Sequence, residues 1–449
     1  MTLPLFWDLK IKNMSVHMTN TEKQTSSFMQ EKLSRFANRI SQNMSRPVAK
    51  FIRDMLFGIC GTGTASIFNI AKHTKDKTST KKTSERLYRN MGREGLDAEL
   101  QAVLLDMVSS KIKRDSLIIV DESDIEKPYA RKMEGLKLVH NGSKSIQTKG
   151  YNQLNIVACV DNERGCNLLP VCSDLISTDL ETDSIKQILQ DKLIDITIKC
   201  GGKGIYVFDR AYDDRKMIGF LVENNMRFII RGMGVRNIRE GCEEKNFEQV
   251  VKDMKFQYEL PGFKSGETFR CATRRIGVRT DDHPSKQAAS VELSLVVVRK
   301  YTGNRKKGKD FYLLCNFADE KMTEAQIIQE AINNYRKRWK IEEVHRQMKQ
   351  HLGWESIRLA SYTKLKNLNM FLTLALYSIY SCKEIITKLA VAFPKIICYQ
   401  TKDWAKLQQF IYYRISQVLQ ICYRISRHYD TSPYRADLIE PWQRKIRLV

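Results

Sequence analysis

The sequence predicts a mixed α/β core that carries a β-rich insertion and is flanked by helical N- and C-terminal regions. The helical hydrophobic period gives way at Ser116 to short, continuously apolar runs of buried-strand type. Two of these runs, Ser116-Leu-Ile-Ile-Val-Asp121 and Gly204-Ile-Tyr-Val-Phe208-Asp209, end in an acid. Strand-like segments divided by Gly/Asp/Lys turns then crowd residues 232–325 before the helical period returns at Thr323.

The first region, residues 1–114, reads as helical from about Ser26, with breaks at Arg46-Pro47, at Gly61-Thr-Gly63 and near Gly92. Within Lys72–Arg93, eight Lys/Arg face only Asp76 and Glu85. A short helix at 64–72, a polar turn and a basic helix from about Ser84 fit a helix-turn-helix-like DNA contact. Lys81, Lys82, Arg86 and Arg89 are its candidate phosphate contacts; a solvated basic face is the alternative. Residues 115–231 form the first part of the core. After the strand ending at Asp121 come a hairpin (151–160 and 165–172), a helix over about 180–198 and the strand ending at Asp209. A helix near 213–224 and a strand at 227–231 follow. The insertion, 232–325, holds strand candidates at 256–260, 267–275, 290–298 and 310–317. Residues 326–390 form the second part of the core and 391–449 a helical C-terminal region. The run Leu368–Tyr380 carries Asn369, Thr373 and Ser378 and reads as a buried helix rather than a membrane span.

Composition narrows the function. The 449 residues carry a formal net charge of +24, which points to a polyanionic partner. At 42% hydrophobic residues with only nine prolines, this charge belongs to a folded chain and not to disorder. The N-terminus lacks the pattern of a secretory leader, and the eleven scattered cysteines contain no C-x-x-C pair. Reduced thiols in a cytoplasmic, nucleoid-associated protein are therefore expected, with no membrane contact and no structural zinc site.

Strand-end acids of an α/β sheet line its ligand crevice, although each acid taken alone also reads as a turn or capping residue. The helix around Glu342 changes the balance. Tyr335, Arg338, Glu342 and Lys349 fall within an arc of about 60° at 100° per residue. Ile341, Val344 and Met348 occupy another face, suited to packing on a sheet. The alternative is a salt-bridge ladder from Arg338 and Arg346 to Glu342, which leaves Tyr335 and Lys349 on the stripe unexplained. Asp121, Asp209 and Glu342 together offer an oxygen-only site for two Mg²⁺ (or Mn²⁺) ions. On a basic protein, the matching substrate is a phosphodiester bond of nucleic acid.

The spacing Tyr335-(two)-Arg338-(three)-Glu342-(six)-Lys349 resembles the Tyr-Arg-Glu-Lys signature of bacterial insertion-sequence transposases of the DDE type, the insertion-sequence-four-like group. The string Tyr335-Arg-Lys-Arg-Trp-Lys-Ile-Glu-Glu-Val-His345 is similar to that family's signature helix, and Asp209-Arg210-Ala-Tyr-Asp213 to its Asp-Arg-x-x-Asp. Asp121 matches the first acid, but Glu122-Ser-Asp124 departs from the small residues usual there, so Asp124 stays an alternative. The resemblance covers about residues 115–385 and implies an RNase H-like catalytic core with a β-rich insertion domain. It implies Asp121, Asp209 and Glu342 as catalytic metal ligands. Tyr335, Arg338, Lys349 and Arg210 would contact DNA near the cleaved bond.

The resemblance further implies a homodimer on double-stranded DNA, acting on terminal inverted repeats and target DNA by strand cleavage and strand transfer. An RNase H-like nuclease or domesticated transposase without strand transfer, and a DNA-binding protein with a degenerate site, are the alternatives. Some relatives hold a flipped base against an insertion-domain Trp. Here no Trp lies between residues 8 and 338, which leaves Phe311, Tyr312, Phe317 and Trp339 as possible stacking platforms. Trp339 lies about 40° around the helix from Tyr335.

Overall fold

The computed structural model describes residues 19–74, 76–141, 146–162, 165–234, 236–240, 243–280, 290–319, 321–398 and 411–425. The chain divides into two compact units, Met1–Asn90 with Ile385–Val449, and Met91–Glu384.

The first unit is helical: α1 (Asn20–Ile40), α2 (Arg46–Thr62), α3 (Ile67–Thr74) and α4 (Thr80–Asn90). Thr19 and Glu22 form a capping box that satisfies two free N–H groups at the start of α1. Met29, Leu33, Phe36 and Ile40 recur at helical spacing and are buried. Helix α2 carries Pro47 in its first turn and is capped by Gly63, whose φ of 67° is the left-handed value that ends helices. The C-terminal helices α12 (Ile386–Ala392), α13 (Pro394–Ile397) and α14 (Ile411–Ile425) belong to the same unit. Gln30 on α1 donates to the Cys422 carbonyl of α14 at 2.8 Å, and Tyr423 packs on Phe57 with ring centroids 5.5 Å apart. The expected helix over 404–427 is described only for α14, and Trp404, like Trp7 and Trp442, lies outside the described residues.

The second unit opens with α5 (Leu96–Ser109) and is built on one sheet. Its strands are β1 (Leu117–Glu126), β2 (Lys137–Asn141), β3 (Ile146–Asn162), β4 (Gly165–Ile176), β5 (Ile205–Phe208) and β6 (Phe228–Gly232). The insertion adds β7 (Asn237–Glu240), β8 (Glu243–Asn246), β9 (Tyr258–Pro261), β10 (Glu267–Arg279), β11 (Ser290–Thr302), β12 (Arg305–Lys306) and β13 (Phe311–Cys315). Helices α6 (Ile185–Lys199), α7 (Arg215–Glu223) and α8 (Phe247–Lys252) lie between strands. After them come α9 (Glu324–Arg336), α10 (Lys340–Arg346) and α11 (Tyr362–Ser381).

Strands β1, β5 and β6 run parallel, and β3 runs antiparallel to β1 and to β4. Four consecutive buried residues in β1 and four in β5 show why these runs lack alternation: both faces of the sheet are covered. Gly204 enters β5 with a φ of 102°, and a Cβ there would stand 2.6 Å from Ile118. Glycine is required for the two strands to begin side by side.

The strands β7–β13 are not a sheet of their own. Strand β13 pairs antiparallel with β6, so the sheet continues as β6-β13-β11-β10-β7-β8. The paired strands β10 and β11, 13 residues each, dominate this half. Helix α11 is buried along almost its whole length, as its sequence implied, and Asn369 donates to the Ser173 carbonyl at 2.9 Å. The helix ends at Ser381. Among the described residues, no helix is long and apolar enough to cross a membrane. One expectation needs correction. Cys159 and Cys166, on adjoining strands with Cα atoms 5.6 Å apart, form a disulfide, while eight other described cysteines are free. The β3–β4 hairpin register brings together two residues that look merely scattered in sequence.

Lys127 follows β1 directly and is 2% exposed. Its ammonium donates to the carbonyls of Trp354, Glu355 and Ile357 at 2.6, 3.0 and 2.7 Å and lies 4.8 Å from the Trp354 ring centroid. It thus ties the end of β1 to the chain downstream of α10. Lys127→Met keeps the stem but leaves three carbonyls without this donor, at about 1–3 kcal/mol for each buried one. Thermal unfolding should show a loss of roughly 2–4 kcal/mol, and an unchanged midpoint would refute the brace.

Candidate active site

The register of β1 and β5 fixes the first two acids. Ile119 pairs with Val207 in parallel, so Asp121 and Asp209 stand at equivalent positions two residues further along adjacent strands. Both lie at the carboxyl end of the parallel strands, where ligands of α/β sheets collect. Asp124, three residues after Asp121 on a regularly paired strand, points to the opposite face. There it accepts from Asn152 at 3.3 Å, and burial raises its pKa against the charges of Lys349 and His140.

The third acid arrives on a helical run from Glu324 to His351. The run begins with a capping box of Thr323 and Gln326, tightens to a 3₁₀ turn over Lys337–Trp339 and widens to a π turn over Gln347–His351. Ile341, Val344 and Met348 are buried beneath it, and Gln153 of β3 reaches the Met348 sulfur at 2.9 Å. Helix α10 packs against β1. The other side presents Tyr335, Arg338, Glu342 and His345. Tyr335 donates to Asp209 Oδ1 at 3.2 Å, and its ring meets Phe311 edge-on. Arg338 is buried, with Nη1 3.6 Å from Asp121 Oδ2. The ladder alternative does not form: Arg338 pairs with Asp121, and Glu342 has the His345 imidazole 3.9 Å away.

Electrostatics records how close these groups are. Burial pushes the Asp121 carboxyl up to about 7; Arg338 opposes the rise, and the Glu342 and Asp209 carboxylates add to it. Burial, reinforced by Asp209, pushes Tyr335 up to about 12, so it remains a donor. His345 falls to about 3 through burial and the nearby Lys349 and Arg338 charges, so its imidazole is neutral. Nδ1 of His345 is 3.9 Å from both Asp121 Oδ2 and Glu342 Oε2, and one donor atom from each of the three residues lies within 4.8 Å of the others.

Crowded carboxylates, one of them raised by burial and then by its acidic neighbours, suit a divalent cation, which would reverse the sign of the local field. The expected donor set of three acids did not include His345, which stands beside Asp121 and Glu342. Its signal was present in sequence: it follows Glu342 at i+3 and lies about 20° from Arg338 on the helix wheel.

The remaining site residues divide. Lys349 has a half-buried side chain, 3.9 Å from Glu355, and its charge is felt at Asp124 and His345. Arg210 is exposed beside Asp209, while Asp213 is buried, accepts from the Met233 N–H at 2.6 Å and pairs with Arg236. Trp339 is 64% exposed, with the Arg338 guanidinium 5.4 Å from its ring centroid. Tyr312 and Phe317 are buried and so cannot serve as stacking platforms; Phe311 is partly exposed, with Arg231 4.8 Å from its ring centroid.

In the helical unit, Lys81, Lys82 and Arg89 are exposed on α4. Arg86 departs from the expected phosphate contact. It bonds Asp54 at 2.7 Å and Asp76 at 3.0 Å, and Lys50 reaches the same two acids. Burial works against the charged form of Asp76, but Lys50 and Arg86 win and hold its pKa below the usual carboxylate value.

Two acids on adjacent parallel strands and a third on a helix form a crevice whose donor atoms could hold a divalent cation. Residues 112–378 match the family described as "Transposase DDE domain", which is more than half of the chain, and the protein belongs to that family. No curated protein matches it. Among solved structures, a piggyBac transposase synaptic complex with hairpin DNA is similar at 9% identity, over 95% of this chain and 82% of that one, with a TM-score of 0.39.

Arg86→Ala should destabilise the helical unit by about 1–3 kcal/mol, because it strips a donor from two half-buried carboxylates. Lys81→Ala and Lys82→Ala should stay within about 0.5 kcal/mol of the parent in urea unfolding. Equal effects at all three positions would remove the distinction.

Proposed function

We propose that this protein is a DDE transposase that cuts DNA at the ends of its element and joins the freed strand to target DNA. Its core on this reading is RNase H-like: strands ordered β4-β3-β1-β5-β6, with β1, β5 and β6 parallel, agree with that fold. The observation that carries the reading is that Asp121 and Asp209 stand at equivalent positions just past the parallel-paired stretch of β1 and β5, with Glu342 of α10 beside Asp121.

Asp121, Asp209 and Glu342 are the proposed ligands of two Mg²⁺ or Mn²⁺ ions. When bound, such ions activate the attacking oxygen and stabilise the leaving one. Tyr335 orients Asp209 through its hydroxyl. Arg338, held between Asp121 and Trp339, supplies a fixed cation for a phosphate near the cleaved bond, as do Arg210 and Lys349 at the margin. Lys81, Lys82 and Arg89 are proposed phosphate contacts of the helical unit, which binds the terminal repeats of double-stranded DNA as part of a homodimer.

Asp121→Ala, Asp209→Ala and Glu342→Ala should each lower strand cleavage of labelled element-end DNA in Mg²⁺ by about 10³-fold or more. Binding to the same DNA should persist. Normal cutting by all three variants defeats the reading, and loss at Asp124→Ala with cutting retained at Asp121→Ala moves the first ligand. Cleavage without joining would favour a nuclease over a transposase.

Replacing Lys81, Lys82 and Arg89 together with Ala should flatten the slope of log K against log salt by about 2–3, near 0.9 for each lost contact. An unchanged slope returns this face to plain solvation.

A further inference from the structure

We propose that His345 is a nitrogen ligand of the cation held by Asp121 and Glu342, so that this site favours Mn²⁺-like transition ions over Mg²⁺. The inference rests on the metal-dependent reading above and adds to it a donor that a set of three acids does not include.

Glu342 and His345 stand at i and i+3 on one short helix, an arrangement that lets both side chains project toward one ion. Ligand atoms on bonds near 2.1 Å lie no more than about 4.2 Å apart. The Nδ1 separations of 3.9 Å, to Asp121 Oδ2 and to Glu342 Oε2, already meet that limit. Both are too long for a hydrogen bond to a carboxylate. Nε2 is buried and has no hydrogen-bond partner.

Nδ1 is the ring nitrogen that faces both carboxylates, so a cation held by Asp121 and Glu342 would find it as a third donor. The preference follows from the donor: imidazole nitrogen suits transition ions, whereas Mg²⁺ keeps to oxygen.

The test is pulsed EPR of the full-length protein with Mn²⁺ as the probe, read as nitrogen modulation of the bound ion. Wild type should show a histidine nitrogen coupling that changes when the protein is labelled with ¹⁵N-histidine. In His345→Gln the coupling should vanish while Mn²⁺ stays bound, and the ratio of Mg²⁺ to Mn²⁺ dissociation constants should fall about tenfold. Mn²⁺ that binds wild type and is lost in Asp121→Asn, yet shows no nitrogen coupling, overturns the histidine ligand and leaves the metal reading intact. Absence of any Asp121-dependent Mn²⁺ binding overturns both. The label comparison needs no variant, so a poorly folded His345→Gln would not blur the outcome.

Discussion

Parallel pairing of β1 with β5 is the constraint on which the rest of the site depends. Parallel strands share direction, so their last residues finish at the same edge, and a register of Ile119 with Val207 puts Asp121 level with Asp209. Shifting either strand by one residue would turn its acid to the opposite face. Gly204 guards this register at the start of the pair, where a side chain would strike Ile118. On the other flank of β1, ten consecutive pairs with β3, from Leu117–Cys159 to Glu126–Gly150, leave no room for slippage.

The helical run that brings Glu342 does not have the regularity an ideal wheel assumes. Between α9 and α10 the chain tightens to a 3₁₀ turn, and after α10 it loosens to a π turn. Such irregularities leave backbone groups imperfectly paired and persist where surrounding contacts over-determine them. Here the contacts are identifiable. Met348 is pinned against Gln153, and the chain just beyond is anchored by Lys127 through three carbonyls. The result keeps Tyr335, Arg338 and Glu342 toward the strand-end acids while Lys349 turns toward Asp124 and Glu355.

Much of this was legible in the sequence because local pattern and final environment coincide. Apolar runs ending in Asp121 and Asp209 became the buried strands they resembled, and the polar stripe of α9 and α10 faces the acids it was expected to meet. What was not legible depends on pairings distant in sequence. The β-rich segment reads as separate because nothing near β13 announces that it will pair with β6, some eighty residues earlier. Arg86 looks like any cation of a basic helix until Asp54, thirty-two residues away, claims it. Tyr312 and Phe317 carry surfaces fit for stacking, but alternation in a strand says only that one side is covered, not which. His345 was missed for another reason. A neutral imidazole among carboxylates has no signature in a charge count, although its spacing from Glu342 does.

The charges of the site leave a deficit that the chain cannot make good by itself. Arg338 is already 3.6 Å from Asp121, and Lys349 acts from the margin, yet Asp121 is still raised to about 7. Its neighbours Glu342 and Asp209 are too near, and its burial too great, for one guanidinium to compensate. Bringing a DNA phosphate to this edge would add negative charge and deepen the conflict. On the proposed reading, the positive charge that makes substrate approach favourable would come with a cation among the carboxylates. Arg338 would then set the direction from which a phosphate approaches, and the net charge of +24 would draw the polyanion from outside.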